Sequence, residues 1–104
     1  MVIPGGWAPD YLRQNKDVLA FVRRMHDQGK LVASICHGGW VLASAGIAKG
    51  RTLTSYIAIK DDMVNAGGTW VDKSVVVDKN LITSRTPDDL PDFMKEILRW
   101  LGTH

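Results

Sequence analysis

A chain of 104 residues and 11.5 kDa has room for one domain, and a composition 45% apolar and 23% charged is that of a chain that folds. Thirteen basic against eleven acidic residues leave a formal charge of +2. That balance is too small and too evenly mixed to point to a nucleic-acid or membrane-surface protein. No apolar run approaches the roughly 20 residues that cross a bilayer, no basic segment leads into an apolar one as in a secretory signal, and the single cysteine cannot close an internal disulfide. Together these features predict a cytoplasmic location.

In chain order, Met1-Val2-Ile3 stopped by Pro4-Gly5-Gly6 reads as the end of a buried strand, shorter than the usual five or six residues. Residues from Asn15 to Gln28 read as a helix. Asn15 is its N-cap, Val18, Leu19, Phe21, Val22 and Met25 recur at spacings of three and four, and Gly29 supplies the left-handed stop. Leu31 to Ile35 is a second buried strand, followed at once by Cys36-His37-Gly38-Gly39 and a helix from Trp40 to Ala45, which Gly46 closes. Leu53 falls in a short strand, and Lys60 to Ala66 forms a short helix ended by Gly67-Gly68. Val75-Val76-Val77, Asp78-Lys79-Asn80 and Leu81-Ile82-Thr83 predict a β-hairpin. Thr86-Pro87-Asp88-Asp89 offers a cap, a proline and N-terminal acids to a last helix through Phe93, Met94, Ile97, Leu98 and Leu101. This alternation predicts an α/β fold with a mainly parallel sheet and a hairpin near one edge.

The residues best placed for chemistry are Cys36 and His37. A buried strand ending in a nucleophile, then two glycines and a helix, has the form of a nucleophile elbow. Such a turn would project the thiol from the strand end, where α/β folds bind ligands. The helix N-terminus favours negative charge there, and backbone N–H groups can hold an oxyanion formed when sulfur attacks a carbonyl. Gly38 and Gly39 would let backbone and substrate approach closely. The plainer alternative is an inert buried thiol, and adjacent side chains such as Cys36 and His37 meet only if the turn is sharp.

Other residues carry weaker signals. Gly5-Gly6 serves as a turn or as a second oxyanion donor, and Asp10 reads locally as a helix-start cap. Lys60-Asp61-Asp62 reads as a solvated helix face and Tyr56 as packing. The four tryptophans lack the basic companions of a base-stacking platform. Cys36, His26, His37 and His104 do not have zinc-ligand spacing, so no metal is predicted.

Six segments taken together resemble the DJ-1/PfpI family, and within it the PfpI-like intracellular cysteine proteases and stress-linked deglycases. They are Val2-Ile3-Pro4-Gly5-Gly6, Val32 to Gly38, Thr54-Ser55-Tyr56, Ile59 to Met63, Asn65-Ala66-Gly67 and Thr83-Ser84-Arg85, in family order and spanning nearly the whole chain. The resemblance implies a flavodoxin-like sandwich, similar to class I glutamine amidotransferases. It also implies a cytoplasmic location, no cofactor, and homo-oligomers from dimers to hexamers.

Carried over residue by residue, the resemblance makes Cys36 the nucleophile and His37 its adjacent histidine. Gly6 and the backbone N–H of His37 take the oxyanion-hole positions. Asp10 stands where relatives carry a Glu that reaches the histidine of a neighbouring subunit, and the shorter side chain reaches less far. Tyr56, Gly38 and Trp7 line the substrate pocket. Two departures change that pocket: Gly39-Trp40 replaces a common Pro-Gln, and Trp7 replaces a common Arg. The resemblance further implies that residues 1–104 are the C-terminal portion of one domain. Relatives have roughly 60 to 70 residues before the Pro-Gly-Gly strand, within single-domain length, among them the first strands and a glutamate bonded to the cysteine. An uncovered sheet edge would follow.

The substrate implied is a small carbonyl compound, either a dicarbonyl adduct on an amine or a peptide bond, attacked by the thiolate. Two alternatives stand beside it. One is a catalytically incomplete, oligomerising stress-response module, and the other is a redox-sensing thiol that rests as sulfenic or sulfinic acid.

Overall fold

The computed structural model describes residues 1–104. Its elements are β1 (Val2–Ile3), α1 (Ala8–Leu12), α2 (Lys16–Asp27), β2 (Val32–Ile35), α3 (Gly39–Ser44), β3 (Thr52–Leu53), α4 (Lys60–Asn65), β4 (Thr69–Trp70), β5 (Val75–Asp78), β6 (Leu81–Ser84) and α5 (Leu90–Thr103). Short 3-10 turns, Cys36–Gly38, Ile57–Ile59 and Pro87–Asp89, lead into α3, α4 and α5.

The main sheet has the order β1-β2-β6-β5. β1 and β6 both run parallel to β2, and β5 turns back antiparallel to β6 at one edge, as the hairpin pattern predicts. β1 forms the other edge, and its Val2 is half exposed. All four residues of β2 are buried, because the strand is covered on both faces. On one face Val32 and Leu81 pack with Val22 of α2, Val41 and Leu42 of α3 and Met63 of α4. On the other, Ala33, Ile35 and Ile82 meet Phe93 and Ile97 of α5. The result is a helix–sheet–helix sandwich.

α2 begins as expected: the Asn15 carboxamide oxygen accepts from the N–H groups of Asp17 and Val18 at 2.9 and 3.2 Å, and Gly29 takes a φ of +75°. Three details differ from the sequence reading. Asp10 is not a helix-start cap, because Trp7 occupies the N-cap position of α1 and Asp10 is the third helical residue. Pro9 fixes the helical φ one residue earlier and moves the start of the helix upstream of the acid. Thr86 makes no side-chain cap, and the Pro87 turn separates it from α5. The short strand at Leu53 pairs in a second, two-stranded parallel sheet with β4, a strand of two residues too short to show alternation.

Candidate functional site

The site lies at the C-terminal ends of β1 and β2. Pro4-Gly5-Gly6 leaves β1 beside the turn that leaves β2, and the two loops fit together only because of their glycines. A Cβ on Gly5 would stand 2.8 Å from Cβ of Cys36 and 3.3 Å from its Sγ. One on Gly38 would stand 2.7 Å from the carbonyl oxygen of Ile3. Gly39 has the same role against Met63 of α4, with Sδ 3.0 Å from the position of the missing Cβ.

Cys36 has a φ of +59°, the left-handed region that a residue with a Cβ rarely enters. Ile35 before it is extended and Gly38 after it is helical, so the chain reverses direction across the cysteine. This reversal brings neighbouring side chains together: Sγ of Cys36 lies 3.3 Å from Nδ1 of His37. Both residues are half-buried. The Cys36 carbonyl accepts the N–H of Tyr56 at 3.2 Å, which ties the segment after β3 to the turn.

His37 is the centre of an aromatic cluster. The Tyr56 ring stacks on it at a centroid distance of 5.0 Å and an interplanar angle of 30°, and Trp40 meets it edge-on at 5.0 Å and 63°. Trp40 is fixed in turn: its Nε1 donates to Oδ2 of Asp62 at 2.7 Å, and the Arg13 guanidinium lies 5.2 Å from its ring. The segment Lys60-Asp61-Asp62 is therefore more than a solvated face. Asp62 holds a wall of the site, and Lys60 lies over the Trp70 ring at 5.1 Å.

Two openings flank the turn, and the thiol lines the second of them. A cleft of about 160 Å³ is lined by Gly6, Trp7, His37 and Trp40. A second, of about 260 Å³, is lined by Gly5, Gly6, Ile35, Cys36, Pro87 and Leu90. The structure thus brings together Gly6, Trp7, Cys36, His37 and Tyr56 of the expected set. Gly38 lies under the turn, where it serves backbone packing rather than lining the pocket. Asp10 is exposed on α1, which packs against the Cys36 turn, and the ring of His37 has no hydrogen-bonded carboxylate within its own chain. The sequence marks Gly5-Gly6 as a turn or a second oxyanion donor and Trp40 as a change in the pocket, but not the contacts that hold them: Gly5 against the thiol and Trp40 on Asp62, 22 residues later.

A guanidinium seals the neighbouring strand end. Nε and Nη2 of Arg85 donate to the two oxygens of Asp89 at 2.8 and 2.9 Å, and Nη1 donates to Asp72 at 2.8 Å. Hydrogen bonds from Arg85 hold the Asp89 carboxyl below the usual carboxylate range against the cost of its burial. The hydrogen bonds to Asp89 and then Asp72 raise Arg85 further above its ordinary value. No three His, Cys, Asp or Glu side chains converge as metal ligands, and no helix is long and apolar enough to cross a membrane.

Comparison with known proteins places this arrangement. Residues 1–100 match the model of the DJ-1/PfpI family. The chain is 50% identical over 101 residues to the protein named deglycase PfpI of Pyrococcus furiosus, an alignment covering 97% of this chain and 61% of that protein. It is 50% identical over 103 residues to the protein named protein/nucleic acid deglycase 2 of Escherichia coli, covering 98% and 60%. Among solved structures, a two-domain protein of Anabaena variabilis with DJ-1/ThiJ/PfpI-like and ferritin-like domains superposes with a TM-score of 0.96 at 50% identity, over 97% of this chain and 29% of that one. Drosophila melanogaster DJ-1beta superposes with a TM-score of 0.86 at 40% identity, over 92% and 52%. The chain spans about three fifths of the length of the curated relatives it matches.

Proposed function

The chain belongs to the DJ-1/PfpI family, with the family's flavodoxin-like α/β fold, and from that premise we propose that it carries the cysteine centre of a deglycase. The substrate would be a dicarbonyl adduct on an amine, and the products the free amine and a hydroxy acid. One observation carries the reading: the 3.3 Å approach of Cys36 Sγ to His37 Nδ1 at a positive-φ turn that opens into clefts on both sides. A structural thiol has no need of a strained backbone, whereas strain of this kind collects at functional sites.

For a methylglyoxal adduct the chemistry balances with water alone. Sγ bonds to the aldehyde-level carbon, the C–N bond breaks, and the amine leaves with a proton. The C–H proton of the resulting hemithioacetal moves to the adjacent ketone carbon. One carbon is thereby oxidised to a thioester while its neighbour is reduced to an alcohol. Water then cleaves the thioester, releasing lactate and the thiol. His37 is the group beside the sulfur that can move these protons. The backbone N–H groups of Gly6 and His37 are the proposed oxyanion donors. Asp10, exposed on α1, is the proposed acid for the His37 ring of a neighbouring subunit in a homo-oligomer, since that ring lacks a carboxylate of its own.

The test is lactate release from the methylglyoxal adduct of an Nα-acetylated amino acid. Turnover is expected in the wild type and is lost in Cys36→Ala with the fold retained. Undiminished turnover by Cys36→Ala would remove the assignment.

A further inference from the structure

We infer that Asp62, on α4, is a positioning residue for the Cys36–His37 pair and acts through Trp40; the inference rests on the reading of that pair as the reactive centre. In a catalytic triad a carboxylate bonded to the second ring nitrogen holds the imidazole in line with the nucleophile. Within this chain the one hydrogen-bond partner of the His37 ring is the thiol itself. The orientation of the ring therefore has to come from packing. Tyr56 stacks on the imidazole at an interplanar angle of 30°, and Trp40 meets it edge-on at 63°. Two rings set at different angles leave the imidazole one tilt, provided that neither of them turns.

Tyr56 is tethered next to its ring, because its backbone N–H donates to the Cys36 carbonyl. Trp40 has no such tether. It is half-buried near the start of α3, and its indole is free to change rotamer unless something holds its far end. The bond from Nε1 to Oδ2 of Asp62 does so, and at 2.7 Å it has the short length of a charge-assisted pair. The Asp62 carboxylate makes no ion pair and no other side-chain hydrogen bond, so the indole is its one partner. The rival role for this acid is local. Asp62 lies in the first turn of α4, where a negative charge favours any helix. The two roles use different properties of the side chain: the helix end needs the charge, whereas the indole needs only an acceptor oxygen. Asparagine keeps the second and loses the first.

The test reads the position of His37 in two ways: by the rate of Cys36 alkylation in the folded chain, and by the ring-proton resonances of His37, which its two aromatic neighbours displace. Asp62→Ala is expected to slow alkylation about threefold to tenfold, the worth of one oriented aromatic contact. It should also move the His37 resonances towards those of a free imidazole. Asp62→Asn should return both to near the wild-type values. In a Trp40→Ala background Asp62→Ala should have no further effect on either. Trp40→Phe, which keeps a ring but loses the N–H, should match Asp62→Ala and takes its place if that variant does not fold. Wild-type behaviour of Asp62→Ala and Trp40→Phe, failure of Asp62→Asn to rescue, or an undiminished effect of Asp62→Ala without Trp40 would overturn the proposal. A wild-type thiol that reacts no faster folded than unfolded, with the His37 resonances still following Asp62 and Trp40, would leave the positioning standing and remove the deglycase reading instead.

Discussion

The two ends of β2 use their polar groups in opposite ways. At the N-terminal end everything is spent on the chain itself. Nδ2 of Asn80 donates to the carbonyls of His26 and Lys30, both at 3.0 Å, and its Oδ1 accepts from Arg51. Arg51 also donates to the Asp78 carbonyl, and Asp78 accepts the N–H of Thr52. At the C-terminal end the backbone is strained, the imidazole has one hydrogen-bond partner, and an indole faces solvent. The first end locks α2, β3 and the hairpin together. The second leaves a thiol and its neighbouring imidazole beside open clefts.

The largest expected effect tests how tightly the two site loops are fitted. Gly38→Ala places a methyl 2.7 Å from a backbone oxygen of β1, and denaturant unfolding should show a loss of about 3 kcal/mol. A loss under about 1 kcal/mol would mean that the loops can separate cheaply.

Next comes the structural end itself. Asn80→Ala orphans two carbonyls and should cost about 2 kcal/mol while leaving the alkylation rate of Cys36 unchanged. A changed alkylation rate would show that the two ends of β2 are coupled.

Asp89 sharpens the contrast with a pH dependence. Its carboxyl is held below the ordinary value of about 3.9 by Arg85, so its contribution is present above the unfolded value and lost as pH falls through the folded one. Asp89→Asn should cost about 1–2 kcal/mol near neutrality, discounted because Arg85 is partly exposed. The difference from wild type should shrink in acid, and a pH-independent difference would contradict the pairing.

The smallest expected effect is a gain. Cys36→Gly relieves the positive φ and should stabilise the fold by about 1 kcal/mol, where Cys36→Ala does not. Equal stability of the two variants would remove the strain from the account.

Much of the fold was legible because it rests on local signals. The Asn15 cap, the Gly29 stop and the valine runs of the hairpin each sit next to what they determine. The meeting of Cys36 and His37 was legible for the same reason, as a sharp turn at a strand end followed by two glycines. What escaped is long-range: the second sheet joins Leu53 to Trp70, and the wall of the site depends on Trp40 finding Asp62. Asp10 misled because an acid near a helix start reads as a cap whichever residue begins the helix. Gly5 was visible as part of a turn or an oxyanion donor, but its close packing against the thiol 31 residues away was not.

The most direct test of the central claim is the rate of Cys36 alkylation by iodoacetamide near neutral pH, folded against urea-unfolded. Cys36 is the chain's one thiol, so intact mass reads it alone. The account predicts faster alkylation in the folded chain, because the turn opens the sulfur to the cleft beside Pro87 and Leu90 and sets it against the His37 imidazole. A folded rate equal to or below the unfolded rate would make Cys36 an inert half-buried thiol and the functional end of β2 a second structural one.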